Sequence, residues 1–99
     1  MVRTTIEILQ ILYAHKGEYA ERYGVKRLGV FGSVARGEQE DNSDVDICYE
    51  SDRIPTLLAL DRLQRELETL MERPVDLVRI RERMNPRLKA RILKEAIYV

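Results

Sequence analysis

Two aspartates, Asp44 and Asp46, stand two residues apart in a stretch whose alternate residues, Val45 and Ile47, are apolar. Such alternation predicts a β-strand, on which side chains two residues apart leave the same face. We therefore expect both carboxylates on one face and both apolar side chains in the core. Like charges held this close are costly unless a cation lies between them. Carboxylate oxygens suit Mg²⁺, which commonly also binds the phosphate oxygens of a substrate.

A glycine–serine turn, Gly32-Ser33, follows an apolar segment and precedes Asp44 by ten intervening residues. Glycine permits turn geometries and a close backbone approach to a ligand that a side chain would prevent. Ser33 is a favourable N-cap, so Val34 to Arg36 should begin a short helix whose free N–H groups attract anions. We therefore expect Gly32 and Ser33 to bind the terminal phosphates of a nucleotide, with Arg36 adding a positive charge.

A third carboxylate, Asp76, interrupts the apolar segment 74–79. Val75 and Leu77 share one face of the predicted strand, so Asp76 should face the other side. A charge in a buried strand is costly without partners. If this strand lies beside the strand of Asp46, the third aspartate joins the first two; otherwise it is an edge-strand residue that faces solvent.

The composition indicates one small globular domain that spans residues 1–99. Hydrophobic residues make up 44% of the chain, and 17 basic residues balance 17 acidic ones. A net charge of zero argues against direct nucleic-acid binding, which usually goes with a basic excess. No segment is long and apolar enough to span a membrane, and the N-terminus lacks the apolar core of a signal peptide. The single cysteine, Cys48, cannot form an internal disulfide, so we expect a buried thiol in a cytoplasmic protein.

Alternating helix and strand signals predict an α/β fold. The expected elements are a helix from Thr4 or Thr5 to about Tyr23 ending at Gly24, a strand over Val25 to Phe31, a polar loop over Glu38 to Ser43, a strand over Asp44 to Tyr49, a helix from Pro55 to about Glu72, a strand over Val75 to Val78, a helix from Asn85-Pro86 to about Glu95, and a short edge strand within Ala96 to Val99. The apolar faces of the two long helices should be Ile6, Leu9, Leu12 and Tyr13 in the first, and Leu60, Leu63, Leu67, Leu70 and Met71 in the second.

Some conspicuous residues have simpler structural explanations. His15 has no second histidine or cysteine at ligand spacing, so a surface or capping role is favoured over metal binding. The tyrosines of the first helix are expected to pack; they are Tyr13, Tyr19 and Tyr23. A basic stripe on the last helix is either a solvated face or a contact for an acidic partner; it comprises Arg87, Arg91 and Lys94.

The pattern as a whole resembles the signature of the DNA polymerase beta nucleotidyltransferase superfamily, and in detail that of its smallest branch, the minimal nucleotidyltransferases. The shared residues are Gly32-Ser33-x-Ala35-Arg36-Gly37 followed by Ser43-Asp44-x-Asp46. The resemblance covers about residues 25 to 80. It implies a small mixed sheet flanked by helices, the polymerase beta-like nucleotidyltransferase fold.

The resemblance also implies a reaction and its cofactors. ATP would be the substrate, and two Mg²⁺ ions would be held by Asp44, Asp46 and Asp76. Phosphoryl transfer of this type joins an acceptor hydroxyl to the α-phosphorus and releases pyrophosphate. In the superfamily, the third acidic residue, here Asp76, helps to deprotonate the attacking hydroxyl.

The acceptor follows from the same resemblance. Minimal nucleotidyltransferases typically occur as antitoxins paired with HEPN-domain ribonuclease toxins, and members add AMP to a tyrosine hydroxyl of the toxin. The resemblance thus implies a HEPN toxin as partner, in a hetero-oligomer. Two alternatives stay open: an antitoxin that only covers its toxin, and a nucleotidyltransferase that acts on a small molecule or an RNA end.

Overall fold

The structure is a computed structural model that describes residues 4–38 and 43–99. Its elements in chain order are α1 (Thr5–Tyr23), β1 (Val25–Phe31), α2 (Gly32–Arg36), β2 (Val45–Ser51), α3 (Leu57–Met71), β3 (Val75–Arg79), α4 (Pro86–Glu95) and β4 (Ile97–Tyr98). None of the helices within these ranges has both the length and the apolar character that a membrane crossing requires. Residues 39–42, the centre of the predicted polar loop, lie outside the described residues.

The strands form one sheet in the order β3-β2-β1-β4. Strand β1 pairs antiparallel with β2 and with β4, whereas β2 pairs parallel with β3. The sheet is therefore mixed, which confirms the predicted fold class. Strand β4 lies at the edge, as predicted.

The two faces of the sheet carry different helices. On one face, side chains of α1 and α3 pack against β2 residues Val45 and Ile47 in the larger buried cluster. On the other face, Ile92 of α4 packs with Phe31 and Cys48. The predicted inward placement of Val45 and Ile47 is confirmed. Because side chains alternate along a strand, an aspartate between these two residues faces α4.

Local signals set several helix ends where the sequence predicts them. Thr4 caps α1 in a reciprocal box, in which its hydroxyl accepts a hydrogen bond from the Glu7 N–H at 3.1 Å. Gly24 ends that helix with a φ of 70°, in the left-handed conformation. The Asn85 side chain caps α4, whose first residue is Pro86.

The predicted buried face of α1 is right for Leu12, which is buried, and for Leu9, which packs against the core, but wrong for the other two residues. Ile6 and Tyr13 are 68% and 64% exposed. The buried residues are Ile8, Leu12, Tyr19 and Tyr23. Apolar residues in the first half of α1 lie on more than one face, so their spacing does not select the face. The buried tyrosines of the second half set it instead, and His15 stacks on Tyr19 with a ring separation of 5.9 Å.

Two predicted boundaries also shift. Pro55 precedes the helix rather than opening it, because the Thr56 hydroxyl accepts a hydrogen bond from the Ala59 N–H at 3.1 Å and makes Leu57 the first helical residue. Strand β2 begins at Val45, so Asp44 lies just before it.

Cys48 should resist modification in the folded protein. Its side chain is fully buried, and burial raises the pKa of the thiol to about 12, so the reactive thiolate is scarce at about pH 8. The chain has no other cysteine, so iodoacetamide labelling followed by mass spectrometry reports on this residue alone. We expect labelling only in denaturant, with the urea-unfolded chain as the positive control. Labelling of the native chain at the rate of the unfolded one would contradict the buried position.

Candidate active site

The sheet brings two of the three predicted carboxylates, Asp46 and Asp76, together on one face, and the third, Asp44, lies just before the same strand as Asp46. Asp46 of β2 is the register partner of Asp76 in the parallel strand β3. Register partners on neighbouring strands point to the same side of the sheet. Asp44 lies just before β2, outside the strand pairing, and its charge is close enough to raise the pKa of Asp46. Asp44 and Asp76 are exposed and Asp46 is partly buried, which makes the group accessible from solvent.

The neighbouring charges shift the pKa of Asp46. Burial raises the pKa of Asp46 above its ordinary value, and the neighbouring Asp76 raises it further. Arg91 of α4 opposes that rise, Asp44 adds to it, and Arg36 makes the smallest contribution, which is also opposing. The ionised form of Asp46 is therefore disfavoured in the ligand-free fold, as expected of a carboxylate that a cation would neutralise.

Two features of the structure require glycine at position 32: its backbone conformation and the closeness of the Asp46 side chain. Its φ is 70°, in the left-handed region that favours glycine. Phe31, just before it, is the register partner of Asp46 on the adjacent strand. A Cβ placed on Gly32 would collide with Oδ2 of Asp46. The turn therefore lies directly against the carboxylate group.

Ser33 does not cap the short helix, contrary to prediction. Helix α2 begins two residues earlier, at Gly32, with the extended residue Phe31 in the N-cap position and no side-chain capping bond. Ser33 is thus the second residue of α2, half-buried, and its carbonyl oxygen accepts a hydrogen bond from the Glu38 N–H at 2.9 Å. Its hydroxyl remains a predicted phosphate ligand.

Arg36 is engaged by two carboxylates. Its Nε donates to Glu38 at 2.9 Å, and its Nη1 donates to Oε1 of Glu95 at 3.0 Å. The other oxygen of Glu95, Oε2, accepts a hydrogen bond from the N–H of Gly32 at 3.1 Å. The predicted positive charge therefore lies at the site, already held by protein partners.

Sequence reasoning does not place two residues of α4 at this site: it does not single out Glu95, and it predicts Arg91 only as part of a basic stripe. Arg91 lies with its guanidinium 5.8 Å from the centre of the Phe31 ring and lowers the pKa of Asp46. Their i, i+4 spacing places both on one side of a helix, which is visible in the sequence. No local sequence pattern indicates that this side of α4 contacts the end of β1. All three residues of the predicted basic stripe, Arg87, Arg91 and Lys94, are exposed.

The donor set fits a divalent cation by its chemistry. Two carboxylates lie in register on one face, a third lies just before the strand, and together they offer the hard oxygen ligands that Mg²⁺ prefers. Within residues 4–38 and 43–99, no three side chains of the ligand type already stand close enough together to enclose an ion. Because Mg²⁺ usually keeps several waters and binds through one or two carboxylates, it does not need such an enclosed set.

Comparison with known proteins places the chain in a family. A family model described as a nucleotidyltransferase domain matches residues 12–99. A relative from Thermococcus cleftensis, named protein adenylyltransferase MntA, is 44% identical over 96 residues, which make up 97% of this chain and 96% of the relative.

Solved structures share the fold. A candidate minimal nucleotidyltransferase matches with a TM-score of 0.68 at 40% identity, covering 90% of this chain and 93% of its own. A toxin–antitoxin crystal structure with AMP-PNP matches at 0.71 and 22% identity, over 97% of this chain and 72% of the other. A complex of a tri-AMPylated Shewanella oneidensis HEPN toxin with its MNT antitoxin matches at 0.71 and 16% identity, over 96% and 71%. At these last two identities the likeness concerns the fold alone.

Gly32→Ala should destabilise the fold more than its φ alone requires. A left-handed alanine costs about 1–2 kcal/mol, and here the new Cβ must also displace the Asp46 carboxylate. Gly37→Ala is the matched control, because Gly37 also has a φ of 70° but a Cβ there meets nothing within 4 Å. Urea unfolding should show the larger loss for Gly32→Ala, and Asp46→Ala in that background should recover the excess. Equal losses at the two glycines would contradict the contact.

Asp46→Asn should leave the ligand-free protein as stable as the wild type or more so at neutral pH. Since folding raises the pKa of Asp46, its ionised form destabilises the fold, and this cost grows as pH rises from the ordinary pKa through the raised one. The gain from asparagine should therefore shrink in acid, as measured by urea unfolding across pH. Asp61→Asn, which removes an exposed ion pair with Arg65, is the control and should bring no gain. A clear loss of stability in Asp46→Asn at neutral pH would refute this account.

Proposed function

The chain belongs to the nucleotidyltransferase domain family and is a nucleotidyltransferase, and we propose that it transfers AMP from ATP to a hydroxyl of a partner HEPN toxin, acting as an antitoxin. One observation carries the proposal. Asp46 and Asp76 stand in register beside the Gly32 turn, so the turn that we predict to bind phosphate lies next to an acidic pair. The name of the Thermococcus relative supports adenylyl transfer as the reaction.

The donor nucleotide would lie over the adjoining turn and carboxylates. Ser33 would bind the terminal phosphates, and Arg36 and Arg91 add positive charge at the same end of the sheet. Asp44, Asp46 and Asp76 would hold up to two Mg²⁺ ions, which supply charge neutralisation at the phosphates. Positioning and charge are what such a transfer chiefly requires.

The acceptor oxygen would attack from the side of Asp76. A bond forms between that oxygen and the α-phosphorus, the bond from this phosphorus to the leaving pyrophosphate oxygen breaks, and the hydroxyl proton departs. A tyrosine hydroxyl has an ordinary pKa of about 10, so it needs a base at neutral pH. Asp76 is exposed and adjacent to Asp46, where it is available to take that proton.

The acceptor would come from a protein. The structural neighbour from Shewanella oneidensis is a complex in which the HEPN toxin is AMPylated, and it shares this fold. The chain also exposes large apolar side chains near the start of α3, namely Ile54, Leu57 and Leu58. Exposed apolar groups that lie together often mark a protein interface. The same surface favours one second candidate, an antitoxin that neutralises its toxin by binding alone.

The two candidates differ in stoichiometry. If the chain works by turnover, substoichiometric amounts should silence the toxin ribonuclease when ATP and Mg²⁺ are present, and intact-mass spectrometry should show AMP additions on the toxin. Asp46→Asn is the matched variant, because it should fold normally, bind the toxin and add no AMP. Asp76→Asn should slow transfer most when the acceptor is a hydroxyl of high pKa.

Supplying ATP, GTP, CTP and UTP separately tests the donor. A mass increase with ATP alone supports adenylyl transfer, and an increase with another nucleotide changes the assigned donor. If wild type and Asp46→Asn both neutralise only at equal molar amounts, and the toxin gains no mass, the binding candidate replaces the enzymatic one.

A further inference from the structure

Helix α2, which contains the Gly32-Ser33 turn, is only weakly stabilised by interactions within itself. Phe31 occupies its N-cap position without a side-chain capping bond. Five residues are also too few for an isolated helix to be stable. Contacts with other elements must therefore set where the turn lies. On the α1 side, the Thr5 hydroxyl donates to the carbonyl oxygen of Val34 at 2.6 Å.

Glu95 supplies the polar contact on the α4 side. Its Oε2 accepts the Gly32 N–H at 3.1 Å, and its Oε1 accepts Nη1 of Arg36 at 3.0 Å. The Glu95 side chain is 18% exposed, against 41% for Arg36. A single, largely buried carboxylate thus joins the first and last residues of α2 to the end of α4.

The location of Glu95 does not favour its own helix. It is the last residue of α4, where the helix dipole disfavours a negative charge. Lys94, beside it, is the basic residue of that last turn. The Glu95 carboxylate instead accepts hydrogen bonds from α2. One of its donors is the N–H of Gly32, which as the first residue of α2 has no hydrogen-bond partner within that helix.

We propose that Glu95 is a positioning residue that fixes the Gly32-Ser33 turn against Asp46. Gly32 is held from two sides: its N–H is bonded to Glu95, and the Asp46 carboxylate fills the space beside its Cα. Without Glu95, the turn is free to shift relative to the carboxylates, and phosphates bound at Ser33 lose their alignment with Asp46. The inference rests on the proposed function, since it assigns this turn to nucleotide phosphates.

Four variants separate positioning from general stability. Glu95→Ala removes both contacts, whereas Glu95→Gln keeps an oxygen acceptor for the Gly32 N–H and loses the ion pair with Arg36. Lys94→Ala is the control at the neighbouring exposed residue. Glu38→Gln removes only the other partner of Arg36.

Binding of MgATP to the folded protein, measured by calorimetry, is the first readout. Glu95→Ala should weaken it about tenfold, the usual effect of a lost hydrogen bond to a charged group. Glu95→Gln should recover part of that loss, and the two control variants should bind as the wild type does. In the AMP transfer assay, the same order should appear in kcat/KM for ATP.

Hydrogen exchange at the Gly32 amide, measured by NMR without nucleotide, is the second readout. It should accelerate in Glu95→Ala and stay unchanged in Lys94→Ala. This measurement does not depend on the proposed function. A wild-type chain that binds no MgATP would therefore overturn the nucleotide assignment, while the exchange rates would still decide whether Glu95 holds the turn.

Three results would overturn the proposal. Unchanged Gly32 exchange in Glu95→Ala would show that the contact does not hold the turn. A lower melting temperature with unchanged MgATP affinity would mark a purely structural residue. Tighter MgATP binding in Glu95→Ala would show that the carboxylate occupies the place of a phosphate and competes with it.

Discussion

The Asp46 carboxylate fills the volume that any side chain at position 32 would need, and the rest of the site is built around that contact. Antiparallel pairing of Phe31 with Asp46 brings the end of β1 to the carboxylate, and parallel pairing adds Asp76. A shift of either register by one residue would turn Asp46 or its partner to the opposite face of the sheet. The acidic group and the turn therefore depend on one register of three strands.

Much of this arrangement could be predicted because it is encoded locally. The alternation around Asp46 fixes its face, and the glycine of the turn signals a backbone conformation that other residues rarely adopt. Caps such as Thr4 and Asn85 act within one helical turn, so their sequence signals predict helix starts closely. The pairing of Asp76 with Asp46 could not be predicted from local signals alone, since strand order is a property of the whole fold.

The predictions that are wrong or incomplete concern features that residues nearby in the sequence do not determine. Helix α1 has apolar residues on more than one face, and only packing of Tyr19 and Tyr23 against the rest of the core selects the buried one. Ser33 has the right chemistry for an N-cap, but the helix begins two residues earlier than predicted, at the left-handed Gly32. Glu95 reaches Gly32 from 63 residues away, and no local pattern reports a contact of that range.

The division of the sheet into two faces explains how a group of like charges is tolerated. The larger buried cluster, under α1 and α3, lies on the face away from the aspartates, so the apolar stabilisation is largely independent of the site. Helix α4 is attached to the site face by a smaller cluster, in which Ile92 is its one buried residue. Residues three apart on a helix are neighbours, so the packing of Ile92 on Phe31 also directs Glu95 toward the end of β1. The apolar contact between Ile92 and Phe31 thus sets the position of α4, and the Glu95 carboxylate then sets the position of the Gly32-Ser33 turn.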